Sequence, residues 1–86
     1  MSQLSPAEHF EWSRQRAMEY VNLGDGGLAM SSLISDLGKH PGTAGILHPD
    51  LQGLFLGEVM LAGAEGARRF IEGIPAPVVP REVTSQ

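Results

Sequence analysis

Four groups of residues in this 86-residue chain have types and spacings that invite a chemical reading. The first is Gly24-Asp25-Gly26-Gly27, glycine-rich enough to cradle a phosphate. A Walker loop needs G-x-x-x-x-G-K-[ST] after a strand, and a dinucleotide loop needs G-x-G-x-x-G after a strand. No Lys follows these glycines, the third Gly is missing at its offset, and the residues before them read as a helix. The stretch is therefore helix punctuation. The second group is His40 and His48 with Asp36 and Asp50, a donor set that zinc accepts. H-E-x-x-H is absent and the chain has no Cys, so no metal and no cofactor are expected. His40 is placed at a helix end and His48 at the start of the next helix. The third group joins Ser31, Ser32 and Ser35 to His40 and Asp50 as a Ser–His–Asp set. The nucleophile elbow G-x-S-x-G does not occur, and a mid-helix Ser ordinarily makes a local backbone bond. Paired carboxylates drawn from Asp36, Asp50 and Glu58 are weighed for acid–base work. Glu58 stands among Val59, Met60 and Leu61, and pairing with Arg68 or Arg69 is its plainer role. No catalytic residue is assigned, and the chain is not expected to be an enzyme.

The elements that must position these residues are helical. Ser5-Pro6-Ala7-Glu8 combines a capping Ser, Pro at the first helical position and Glu three residues after the cap. The spacing predicts a helix from there to about Leu23, with Phe10, Ser13, Ala17, Tyr20 and Val21 inward, and Gly24 as its stop. Asp25 caps a second helix from Gly26 to about Leu37, with Ala29, Met30, Leu33, Ile34 and Leu37 at helical spacing. Gly38 and Pro41 end it. His48-Pro49-Asp50 opens a third helix that is apolar nearly all round, so it is buried or covered by a partner. Gly63 breaks or kinks it; Glu65 to Gly73 forms a short fourth helix or continues the third. No alternating run predicts a strand. The expected fold is all-α, a compact bundle of three to four helices over residues 1–74, followed by an extended, flexible tail over 75–86. That tail contains Pro77-Val78-Val79-Pro80-Arg81, which resembles a ligand for aromatic grooves.

Composition narrows the function classes. One domain is expected, and about 60–65% of the unfolded surface is buried on folding. Net charge is −4 with six Lys and Arg, which excludes a basic nucleic-acid face and disfavours an anionic membrane. MSQLSPAEHFEW has neither a basic start nor an apolar run, so no signal peptide is expected. The apolar run from Leu51 to Ala64 is too short for a bilayer, which needs about 20 residues. A cytoplasmic location is expected.

Ala17, Tyr20, Gly24, Asp25, Ala29, Leu33 and Pro41 follow the spacing of one tetratricopeptide hairpin, and the segment Ser13 to Pro41 resembles that motif. Asp36 departs from it, standing where the repeat prefers a small residue. No second unit follows, since Leu51, Leu54 and Glu58 occupy the corresponding places. The whole chain is similar to small proteins of actinobacterial viruses and prophages, through RAMEYVNLGDGGLAMSSLISDLGKHPGT (16–43) and GAEGARRFIEG (63–73). This resemblance implies a viral accessory protein acting in a host cytoplasm and supplies no catalytic residues.

The expected function is thus a small protein–protein interaction module that binds a host or viral protein. In hairpins of the tetratricopeptide type the first helix lines the groove. That places Glu11, Arg14, Met18, Val21 and Asn22 against a partner, unless the chain's own later helix shields them. Arg68 and Arg69 are added as contacts to a partner carboxylate or phosphate, with pairing to Glu65 or Glu72 on a solvated helix face as their plainer role. An alternative is homo-oligomerisation or a virion-associated assembly through Gly53, Leu56, Gly57 and Met60, because Gly53 and Gly57 share a helix face. A second alternative is a transcriptional regulator acting through protein contact.

Overall fold

The computed structural model describes residues 5–74; the Pro-rich tail expected at 75–86, with its P-x-x-P stretch, lies outside the described residues. The chain is all-α. Three helices follow in order, α1 (Pro6–Asn22), α2 (Gly26–Gly38) and α3 (Pro49–Gly73). Among the described residues there is no strand.

Each start is made by the chemistry its sequence offers. Ser5 Oγ accepts from the Glu8 amide at 3.1 Å, and Glu8 returns the bond to the Ser5 amide at 2.9 Å. Both halves of the capping box are present, with Pro6 at the first helical position. Gly24 adopts φ +82° after α1, and Asp25 then caps α2 by accepting from the Leu28 amide at 2.9 Å. Three residues therefore separate α1 from α2 and fold them into a hairpin.

The core draws one stripe from each helix. Phe10, Ala17 and Val21 meet Ala29, Leu33 and Leu37, and Phe55, Ala67 and Ile71 close over both. Leu47 joins from the linker. Thr43, also in the linker, is fully buried; its hydroxyl donates to the Leu37 carbonyl at 2.7 Å and satisfies an orphan acceptor at the end of α2.

Neither sequence alternative for the region after Gly63 describes α3 fully. It is helical on both sides of one non-helical residue, Gly63, at φ 61° and ψ −134°, a backbone that disfavours any side chain. The chain folds back there. The Phe55 and Phe70 rings stack with centroids 4.3 Å apart and planes 8° apart. In a straight helix, fifteen residues would separate them by roughly 22 Å. We refer to residues 49–62 and 64–73 as the first and second arms of α3. Gly66 permits the fold, because a Cβ there would meet the Glu58 carbonyl. Gly26, at the start of α2, packs against the bend; a Cβ on it would lie 2.8 Å from the Gly63 carbonyl group.

Candidate interaction face

The first arm of α3 turns one edge inward and leaves most of its circumference open. Phe55 is fully buried, while Leu51 and Val59 are partly buried against the core. The opposite side carries Leu54, Leu56, Met60 and Leu61, exposed by 62%, 45%, 77% and 88% respectively. At about 100° per residue, Gly53 and Gly57 fall between them, with Leu56 and Met60 on one flank and Leu54 and Leu61 on the other. Nothing lies within 4 Å of where a Cβ would stand on either glycine. The face is thus a shallow valley between two apolar ridges. No charged residue occurs from Leu51 to Gly57, and Glu58 turns away to meet Arg69 at 3.4 Å.

All four residues expected at the oligomer interface, Gly53, Leu56, Gly57 and Met60, share this face. Leu54 and Leu61 belong to it too and were not singled out from the sequence. Their signal was available: Leu54 and Leu61 stand at i and i+7 of the same helix, one residue after Gly53 and Met60.

The residues expected on α1 are differently placed. Val21 is 8% exposed and part of the core, so it cannot meet a partner. Its apolar side chain faces the stripe that α2 and α3 cover. Met18 packs against the same core. Arg14 is bound to Glu11 at 2.8 Å, which raises the Arg14 pKa and lowers that of Glu11. Glu72 of the second arm adds to the Arg14 shift, so α3 stands close to this part of α1. Asn22 is exposed at the end of α1. With α3 packed on the hairpin, Glu11, Arg14 and Met18 are half-buried and Val21 is buried. Arg68 pairs with Glu65 and with Glu72, the latter at 3.6 Å, and its hydrogen bond to Glu65 raises the guanidinium pKa and lowers that of the carboxyl.

The polar candidates from α2 serve the hairpin. Asp36 is 1% exposed; it accepts from Arg16 Nε at 2.7 Å and pairs with Lys39 Nζ at 3.4 Å. The Arg16 bond raises the guanidinium pKa, and the same guanidinium lies 4.9 Å from the Trp12 ring centre. His9, buried on α1, hydrogen-bonds the Asp36 carbonyl oxygen through Nε2 at 2.6 Å. Nothing in the local spacing of Arg16 marks it as the clamp of a buried carboxylate. Among the described residues, no three side chains of His, Asp or Glu converge as metal ligands. An apolar cavity of about 300 Å³ lies between the linker and the second arm, lined by Ile46, Leu51, Phe70 and Ile74 with Arg69 at its rim. No nucleophile or carboxylate lines it. A second, polar cavity of about 230 Å³ between α1 and α2 holds Ser31, Ser32 and Ser35 beside Arg16, Asp36 and Lys39. His40 and Asp50 do not line it, so the Ser–His–Asp set is not assembled there. No described helix is long and apolar enough to cross a membrane.

The chain matches no protein-family model, no curated protein and no solved structure.

Proposed function

We propose that this protein acts by protein contact rather than catalysis, and that a second copy of the chain docks on the first arm of α3. One observation carries the reading: four large apolar side chains stand exposed around two open glycines on an uncharged face. Contiguous exposed apolar surface of this kind ordinarily marks an interaction site. The choice of a second copy follows from shape. A glycine valley between Leu and Met ridges is complementary to itself, since a two-fold axis lays the ridge of one helix into the valley of the other. The absence of charge removes like-charge repulsion between copies whose net charge is −4. The resemblance to small phage proteins supplies a setting, an accessory or virion-associated protein in a host cytoplasm.

Sedimentation equilibrium over a wide concentration range tests this. Dimerisation is expected for the wild type, and loss of it in a Met60→Glu, Leu61→Glu variant with unchanged circular dichroism. A wild type that stays monomeric up to about millimolar concentration, the range of weak contacts, would sink the proposal.

A further inference from the structure

The apolar cavity beside the second arm is left unfilled by the described residues. It holds about 300 Å³, at the lower end of the range for ligand sites. Ile46 of the linker, Leu51 of the first arm, Phe70 of the second arm and Ile74 beyond it make its apolar wall; each is half-buried and packed on the core. Phe70 is stacked on the buried Phe55 ring, so this part of the wall is fixed before anything enters. Gly73 lends the wall no side chain, and a Cβ there would meet nothing within 4 Å. Arg69 and Gly73 are the exposed members of the lining, so the cavity runs from an apolar interior to a cationic rim.

We infer that this cavity binds a short aliphatic carboxylate, with its hydrocarbon chain against Ile46, Leu51, Phe70 and Ile74 and its head group on Arg69. The hydrocarbon chain is held by the hydrophobic effect, which grows with each methylene buried. The head group follows from what Arg69 already holds. Its guanidinium donates to Glu58 Oε1 at 3.4 Å, a long bond between two side chains that solvent reaches. A guanidinium presents its donors in a planar fork that matches a carboxylate, and Glu58 engages that fork weakly. A ligand carboxylate at the rim takes the place of Glu58.

The lining selects against other classes of ligand. Among the described residues no carboxylate or hydroxyl side chain lines the cavity, so an alkylammonium finds no counter-ion and a sugar finds no side-chain acceptor. One cation at the rim matches one negative charge. A phosphate monoester carries more than one, and Arg68, the next cation in the chain, is already taken by Glu65 and Glu72. The net charge of −4 opposes an anion only from a distance, where salt screens it beyond about 8 Å under physiological conditions.

Calorimetry and proton–carbon correlation spectra of the full chain at physiological salt test this with octanoate, octanol and octylammonium, three probes that share one hydrocarbon chain. Octanoate is expected to bind saturably and to shift the Ile46, Leu51 and Ile74 methyls and the Phe70 ring, while Leu33 in the core stays in place. Octanol is expected to bind about fivefold more weakly, the upper range for an exposed ion pair, and octylammonium more weakly still. Arg69→Gln is expected to lower octanoate to the octanol level and leave octanol unchanged. Glu58→Gln frees the guanidinium and is expected to tighten octanoate alone. Neither side chain is buried, so both variants are expected to fold. No saturation up to about 10 mM, beyond the range of weak specific binding, would overturn the inference. Equal affinity for the three probes, an octanoate affinity unmoved by either substitution, or shifts centred on Leu54 and Leu61 would overturn it too. So would contacts of Val78 or Val79 with this wall in spectra of the free protein, since the chain would then fill its own cavity. The lining residues are not those of the proposed docking face, so the result stands apart from association between copies.

Discussion

The α1–α2 hairpin and the first arm of α3 hold on to the protein by different means. The hairpin is fastened by directional contacts: Asp36 bonded to Arg16 and Lys39, His9 bonded to the α2 backbone, and Thr43 bonded to Leu37. Its buried polar groups are nearly all satisfied. The first arm of α3 is fastened by one buried ring, Phe55, stacked on Phe70, with Leu51 and Val59 partly buried beside it. Its remaining apolar side chains face outward. The hairpin therefore has a geometry its own chain completes, whereas the arm has apolar surface that its own chain leaves uncovered. A chain this small cannot cover everything, because surface falls more slowly than volume as domains shrink.

The largest expected effect comes from removing the arm's one anchor. Phe55→Ala should cost about 3–5 kcal/mol by lost transfer energy and the cavity left behind. Urea unfolding gives the magnitude. Native-state hydrogen exchange sharpens the comparison, with protection lost first over residues 50–62 and retained in α1 and α2. Equal loss everywhere would mean the arm and the hairpin are one cooperative unit.

A smaller effect is expected at the hairpin. Arg16→Ala leaves the buried Asp36 carboxylate with Lys39 at 3.4 Å and Ser32 at 3.5 Å as its side-chain partners. Stability should fall by less than in Phe55→Ala, because a buried acceptor is left under-paired. Lys39→Ala removes the longer contact from a more exposed cation and should cost less than half as much. A reversed order in thermal unfolding would show that the guanidinium is not the clamp.

The smallest effect has the opposite sign. Ser13 is fully buried, and its hydroxyl has no hydrogen-bond partner among the described residues. Ser13→Ala removes that orphan with little change in volume and should raise stability by up to about 1 kcal/mol. A loss on substitution would reveal a partner for the hydroxyl that the static geometry lacks.

Local chemistry was legible in the residues themselves. Ser5 with Glu8, Asp25, and His48 with Pro49 mark the three helix starts, since capping is decided within four residues of chain. Phe10, Ala17, Leu33 and Leu37 follow from helical periodicity. The shared face of Gly53, Leu56, Gly57 and Met60 was legible too, because a helix fixes which side chains point together. Its exposure was not legible: an apolar helix reads the same whether a neighbouring element covers it or not. The burial of Val21 follows from its inward place on the first helix, whereas the half-burial of Arg14 and Met18 does not, since it depends on the packing of α3 on α1.

The sequence by itself thus determined what depends on near neighbours: helix starts and stops, the stripes that α1 and α2 bury, and the absence of strands among the described residues. Tertiary structure alone decided the rest. Gly63 could bend or merely break a helix, and it folds the chain back because Gly66 and Gly26 let backbone approach backbone. Asp36 could be a surface charge, a metal ligand or a clamp, and it is a clamp because Arg16, twenty residues earlier, lies across from it. Contacts between residues so far apart in the chain are set by how helices pack, and no short-range pattern encodes them.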